Sequence, residues 1–170
     1  MATLLVVHHS PTRGVTALTD AVLDGAHDDA IAGVDVVVRP ALEATADDVL
    51  GADGYVLGTT ANFGYMSGAL KHFFDSTFLR VGGALSDDGS AGDGSSDEAA
   101  TTRGRPWGLY VHGRYDTEGA VRAVRSIVGA LGWRQSAEVL SVLGDVGEEH
   151  LAAAYELGGT IAALVSPDHT

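Results

Sequence analysis

Residues 58–75 read GTTANFGYMSGALKHFFD. The apolar run DGYVLGT (53–59) leads into them, and Leu70, Phe73, Phe74, Thr77 and Phe78 follow at i, i+3, i+4, i+7 and i+8, the repeat of an amphipathic helix. The stretch is a strand, a loop and a helix in succession, and the unit recurs on both sides of it. Upstream, ATLLVVHH (2–9) is a short apolar run, SPTRGVT (10–16) is turn-like, and Leu18, Ala21, Val22 and Gly25 recur at helical spacing. GVDVVVRP (33–40) is a second strand closed by Pro40, with at most a short helix over 45–51. Downstream, PWGLYVHG (106–113) is a fourth strand, and Val121, Val124, Ile127, Val128 and Leu131 mark a helix stopped at Gly132. AEVLSVLG (137–144) is a fifth strand, and Leu151, Ala154, Tyr155, Gly158, Ile161 and Val165 mark a last helix. Near-continuous Val/Leu strands belong to a sheet buried on both faces, hence parallel and covered by helices. Right-handed crossovers then predict an α/β fold with a doubly wound five-stranded parallel sheet of order 2-1-3-4-5 and helices on both faces.

A chain of 170 residues is expected to form one domain over 1–170, burying roughly 70% of its unfolded surface. One segment breaks the alternation: Arg80–Arg105, RVGGALSDDGSAGDGSSDEAATTRGR, is rich in Gly, Ser and Asp and poor in large apolar side chains. It is expected to be a mobile acidic loop insertion, with a lid or partner-contacting flap as the alternative. The chain has no cysteine, which rules out disulfides, thiolate metal sites and cysteine nucleophiles. A net charge of −13 argues against nucleic-acid binding. Lys71 is the only lysine beside nine arginines, and Asp outnumbers Glu; this halophile-like composition fits a high-salt cytoplasm and equally a GC-rich genome. The N-terminal apolar run is short and lacks a basic leader, and the last helix carries Glu156, so a soluble, cytoplasmic protein without membrane insertion is the default expectation.

In such a sheet, ligands bind beyond the carboxyl ends of the strands where the winding direction reverses. The loops after strands 1, 3 and 4 should converge there: HHSPTRGVT (8–16), GTTANFGYMSG (58–68) and HGRYDTEGA (112–120). The first supplies Ser10, Thr12 and Thr16 hydroxyls and the backbone N–H groups of a helix beginning near Gly14, a setting for a phosphate. The plainer alternative is an ordinary Ser/Thr cap. No Walker A or G-x-G-x-x-G spacing is present. The second loop offers backbone donors around Thr60–Gly64, the Asn62 amide, and the rings of Phe63 and Tyr65, which suit a flat, hydrogen-bonding heteroaromatic ring or simply cover the sheet edge.

Thr59, Gly64, Ser67, Gly68, Leu70, Lys71, Phe73 or Phe74, and Asp75 resemble the T-P-x-Y-x-G-x-x-S-G-x-L-K-x-F-x-D segment of the flavodoxin-like NAD(P)H-dependent FMN reductases and flavodoxin family proteins. The resemblance extends over the strand–helix alternation and implies a flavodoxin-like fold that holds FMN. It implies that Ser10, Thr12, Arg13, Gly14, Val15 and Thr16 cradle the FMN phosphate. Thr59, Thr60, Ala61, Asn62, Phe63, Gly64 and Tyr65 would line the isoalloxazine and ribityl chain, with a backbone N–H directed at flavin N5. His112, Gly113, Arg114, Tyr115 and Glu118 would close over the pyrimidine edge. Two departures stand out: Ser10–Thr16 is one residue longer than the family's [ST]-x-T-G-x-T loop, with Arg13 before Gly14, and Thr60 replaces the family's proline.

Other groups have plainer readings. His8 and His9 end a strand and point to opposite faces; His72 and Asp75 lie i, i+3 on a solvated face, and no metal site is expected. Ser67 lacks the G-x-S-x-G spacing of a hydrolase elbow, Lys71 reads as a surface residue, and Trp107 and Trp133 as core. The expected activity is an NAD(P)H-dependent oxidoreductase in which FMN passes electrons from NAD(P)H, a transient donor, to a quinone, free flavin or other small-molecule acceptor. No catalytic acid–base side chain is needed, because the cofactor carries the redox chemistry. An exposed ring edge also suits a homodimer. The alternatives are a one-electron-carrier flavodoxin, and a flavodoxin-like module that has lost FMN and acts in binding or regulation.

Overall fold

Along strand β1 (Ala2–His8), Leu4 and Val6 face one side of the sheet and Leu5 and Val7 the other, and all four are fully buried. That pattern requires a helical layer on each face, as the computed structural model shows; it describes residues 1–82 and 102–169. After β1 come α1 (Arg13–Ala26), β2 (Val34–Pro40), α2 (Ala46–Gly51), β3 (Gly54–Asn62), β4 (Tyr65–Met66) and α3 (Gly68–Gly82). Then follow β5 (Pro106–Gly113), α4 (Glu118–Ala130), β6 (Arg134–Gln135), β7 (Leu140–Leu143), α5 (Glu148–Val165) and a final 3-10 turn (Pro167–His169).

The strands β2, β1, β3 and β5 are parallel neighbours in that order, and β6 and β7 both pair with β5. The expected 2-1-3-4-5 winding is therefore present, with its fifth position filled by two short pieces instead of one strand over 137–144. Gln135 Nε2 donates to the Ala137 carbonyl at 3.0 Å and Ser136 Oγ to the Arg134 carbonyl at 3.0 Å, local bonds that take the place of ladder bonds between the pieces.

Leu4, Val6, Val56 and Tyr110 pack under α1 and α5 through Val15, Leu18, Val22, Leu157 and Ile161. The two helices approach so closely that a Cβ at Gly25 or Gly158 would collide with the backbone carbonyl of Tyr155 or Val22, respectively. On the other face Leu5, Leu57, Leu109 and Val111 pack under α2, α3 and α4 through Val49, Phe73, Phe74, Val124 and Val128. Both tryptophans are core residues; Trp133 stacks on Tyr55 with ring centroids 3.8 Å apart.

The two ends of the segment 80–105 belong to the folded domain. Arg80, Val81 and Gly82 complete α3, with Val81 buried. At the far side Thr102 is buried, and Arg105 Nη1 donates to the carbonyls of Val49 (3.2 Å), Leu50 (3.0 Å) and Ala52, closing the carboxyl end of α2. The rest of the expected insertion, 83–101, lies outside the described residues. Lys71 is paired with Asp75 at 2.6 Å on the surface of α3.

Candidate functional site

The loops after β1, β3, β5 and β7 meet at the carboxyl edge of the sheet around a cleft of about 670 Å³. That volume is within the range of small-molecule and cofactor sites. Its walls bring together Thr12, Arg13 and Gly14; Thr60, Ala61, Asn62, Phe63 and Gly64; and His112, Gly113, Arg114 and Tyr115, from the three loops the sequence nominates.

One wall is the amino end of α1. Thr12 is its N-cap residue, yet the Thr12 side chain makes no capping hydrogen bond and the first turn carries no acid. Each of the other helices has a side-chain bond to its first turn, an acid in that turn, or both. Thr45 and Asp48 form a reciprocal capping box on α2; Ser67 Oγ accepts the Leu70 N–H on α3 at 3.1 Å. Asp116 accepts the Glu118 N–H on α4 at 2.9 Å, and α5 begins with Glu148 and Glu149. Among the described helices α1 alone thus has neither a side-chain bond to its first-turn N–H groups nor an acid in its first turn, and its first residues line the cleft, the arrangement that attracts an anion.

His112 lies over this helix end. Its Nε2 is 2.7 Å from the Gly144 carbonyl, which can only accept, so Nε2 carries the proton in this contact. The ring then sits so close to Gly14 that a Cβ there would be 2.7 Å from His112 Cε1 and 3.2 Å from Val146 Cγ2. Gly14 is the residue that lets helix and ring meet.

The second wall is a hairpin. β3 and β4 pair Ala61 with Met66 and Asn62 with Tyr65, leaving Phe63 and Gly64 as a two-residue turn. Both have positive φ, 51° and 76°, the signature of a type I′ turn that favours Asn-Gly. An aromatic residue held in this conformation is a local cost that persists where the surroundings enforce it. Those surroundings are visible: a Cβ at Gly119 would collide with the Gly64 carbonyl, and Gly64 lies against Asp116. The result is a Phe63 ring fully exposed on one rim of the cleft, with the exposed Tyr115 ring on another part of the lining. In the same lining Thr60 is 8% exposed and its Oγ1 has no hydrogen-bond partner, a state that native interiors rarely leave unexplained.

Six nominated residues do not line the cleft. Ser10 Oγ is engaged by His8 Nδ1 at 2.9 Å and Thr19 Oγ1 at 2.7 Å. Val15 is in the core. Thr16 Oγ1 turns back to the Ser10 carbonyl at 3.3 Å. Thr59 is buried, donating to the Thr60 carbonyl at 2.8 Å and accepting from the Ser67 N–H at 2.9 Å. Tyr65 lies on β4, and Glu118 lies in an adjoining groove with Arg122 and Arg125. Conversely Asp116, Gly144, Asp145 and Val146 line the cleft without having been nominated. The last three come from the loop after β7, drawn in by the pairing of Gly113 with Leu143 and the Gly144 N–H donating to the Gly113 carbonyl at 2.8 Å. Arg114 and Asp145 approach to 3.8 Å, an exposed pair worth little to stability.

Among the described residues no group of three metal-ligating side chains is present, and no helix is long and apolar enough to cross a membrane.

No family model matches the chain. A flavodoxin of Aquifex aeolicus is 35% identical to it over 75 residues, which are 44% of this chain and 40% of that protein; the match thus spans well under half of the relative's length. A flavodoxin from the domain Archaea superimposes with a TM-score of 0.73 at 19% identity, covering 96% of this chain and 98% of that one. A WrbA-like flavodoxin from Agrobacterium tumefaciens gives 0.71 at 15% identity, covering both chains completely. Identities this low over a full-length superposition speak to architecture, and on that ground the chain is flavodoxin-like, sharing the flavodoxin fold from β1 to α5.

Proposed function

We propose that the cleft holds FMN and that the protein is an NAD(P)H-dependent oxidoreductase handing electrons to a quinone, free flavin or another small acceptor. One observation carries the FMN reading: the unclosed end of α1 opens into the same cleft whose rim displays Phe63 and Tyr115. A molecule with a phosphate at one end and a flat ring at the other matches that pairing, and the flavodoxins that this chain resembles add to it. The remaining features are consistent with the same occupant. Gly14 and Gly113 leave the walls without side chains, and Thr60 Oγ1 offers an unused donor and acceptor.

In this reading the first-turn N–H groups of α1, with Thr12 and Arg13, hold the phosphate. Thr60 and the backbone of Ala61–Gly64 hydrogen-bond along the ribityl chain and ring, Phe63 and Tyr115 shield its faces from water, and His112 fixes the loop after β7 against α1. FMN, when bound, supplies the redox chemistry, and the protein orients it and sets its surroundings. The donor reading draws on Arg122 and Arg125 in the groove that shares Tyr115 and Asp116 with the cleft, cations suited to a dinucleotide's phosphates. The exposed rim also allows a homodimer that completes the acceptor pocket.

A second reading, a one-electron carrier, is favoured by the flavodoxin relatives. Two measurements test the proposal in order. An absorption spectrum after FMN addition and gel filtration should retain shifted flavin bands; a colourless protein refutes the FMN reading. Steady-state NADH and NADPH oxidation with FMN and a quinone should then show turnover, and its absence leaves the carrier.

A further inference from the structure

Beneath the cleft, four side chains form one hydrogen-bonded chain to which the flavin reading assigns no role. His8 Nδ1 is 2.9 Å from Ser10 Oγ, Ser10 Oγ is 2.7 Å from Thr19 Oγ1, and Thr19 Oγ1 is 2.6 Å from the Tyr110 hydroxyl. Thr19 Oγ1 is also 2.9 Å from the Val15 carbonyl oxygen. A carbonyl only accepts, so the single Thr19 proton goes to Val15, and the two Thr19 lone pairs accept from Ser10 and from Tyr110. That spends the only proton of Ser10 inward. Ser10 Oγ then accepts from His8, whose Nδ1 carries the ring proton. This assignment alone makes all four contacts hydrogen bonds.

The consequence is specific to the anion end of the cleft. Ser10 cannot donate its hydroxyl proton to a phosphate while this chain is intact. It is a tether instead: its side chain is pinned to Thr19 in the second turn of α1, and its carbonyl accepts from Thr16 at 3.3 Å. Those two ties fasten the turn from Ser10 to Thr16 against α1, whose first residues Thr12, Arg13 and Gly14 line the cleft. Tyr110 anchors the tether from another strand. It stands on β5 and crosses β3 at Gly58, where a Cβ would collide with its ring, to reach α1. Burial keeps the Tyr110 phenol protonated far above its ordinary range, so it remains a donor at any working pH.

We propose that Tyr110 and Thr19 are positioning residues for the anion-binding turn, and that through Ser10 they set a preference for a phosphorylated flavin over an unphosphorylated one. This rests on the flavin reading above. The recognition itself then falls to the backbone of α1, to Thr12 and to Arg13.

The test compares dissociation constants for FMN and riboflavin, read by flavin fluorescence, in the wild type, Tyr110→Phe and Thr19→Val. The wild type should prefer FMN. Each variant should weaken FMN by about threefold to tenfold, the worth of one net hydrogen bond, and leave riboflavin binding unchanged. A general packing defect would weaken both flavins alike, and that outcome overturns the inference, as does an unchanged preference in the variants. Should either core variant fail to fold, Ser10→Ala at the outer end of the chain is read by the same ratio and should also lower it. A wild type that binds both flavins equally overturns this inference and leaves the flavin cleft standing; one that binds neither overturns both.

Discussion

Replacing Thr60 with valine should move stability and ligand affinity in opposite directions. The hydroxyl lies at the cleft wall with Oγ1 out of contact with water and without a partner, and an unpartnered buried polar atom costs about 1–3 kcal/mol. Valine keeps the shape and the β-branching that suit a central strand, so Thr60→Val removes that cost without opening a cavity. The free protein should gain about 1 kcal/mol, which for a domain of this size is about 2–4 °C in melting temperature. FMN affinity should fall about fivefold, since a χ1 rotation that turns Oγ1 into the cleft gives a bound ribityl or ring atom a hydrogen bond worth about 1 kcal/mol, which valine cannot make. Thermal denaturation without ligand gives the first number and fluorescence titration the second. A free protein destabilised by the change would mean that Oγ1 is satisfied in solution, and an unchanged FMN constant would remove Thr60 from the site; either result refutes the reasoning.

Phe63→Asn should behave similarly at the rim: Asn-Gly suits the type I′ turn, so urea denaturation should show a gain of about 1 kcal/mol, while flavin binding weakens for want of the ring. A loss of stability there would show that the Phe63 ring is held by contacts in the free protein. Gly158→Ala places a Cβ on the Val22 carbonyl and should cost about 1–3 kcal/mol by forcing α5 away from α1; an unchanged urea midpoint would mean that the helices part freely. Burial pushes the Asp48 carboxyl up, but the Thr45 amide and hydroxyl and the Arg39 guanidinium outweigh it and hold the group below its ordinary value. A depressed carboxylate stabilises the fold above the unfolded-state pKa and loses that contribution as pH falls through the folded one. Asp48→Asn should therefore cost about 1 kcal/mol at neutral pH, a difference that closes on acidification below the ordinary carboxylate value. A constant gap across pH 2–7 by thermal melts would locate the capping energy in neutral contacts.

The strands and helices were legible because their apolar spacing reports burial directly: Leu4 to Val7 read as a two-faced strand and are one. The hairpin β3–β4 was not, since Phe63-Gly64 lacks the usual Asn-Gly signal and the turn is enforced by Asp116 and Gly119, more than fifty positions away. The fourth loop was missed for a related reason. Gly144, Asp145 and Val146 carry neither rings nor hydroxyls, and only the β5–β7 register brings them to the cleft. Twelve of the eighteen nominated residues do line it. The loop 8–16 offered three hydroxyls, and local sequence could not tell which of them faced outward. That depends on Tyr110, whose reach across Gly58 is a tertiary fact.

The difference between a closed and an open helix end, by contrast, is local. α1 and α2 both begin with an extended threonine as N-cap, Thr12 and Thr45. Three residues on, α2 has Asp48, whose carboxylate accepts from the Thr45 amide at 2.8 Å while Thr45 Oγ1 accepts from the Asp48 amide at 3.2 Å. α1 has Val15 there, and Val15 goes into the core. The same register that sends Val15 inward denies α1 an internal anion, and the glycine before it leaves room for His112 instead of a side chain. In a chain with 23 acids and 10 bases, a helix start without a carboxylate is an omission against composition. T-x-x-D closes a helix on itself and T-R-G-V leaves it open, so the open helix end at this cleft is encoded by the absence of an acid at one position.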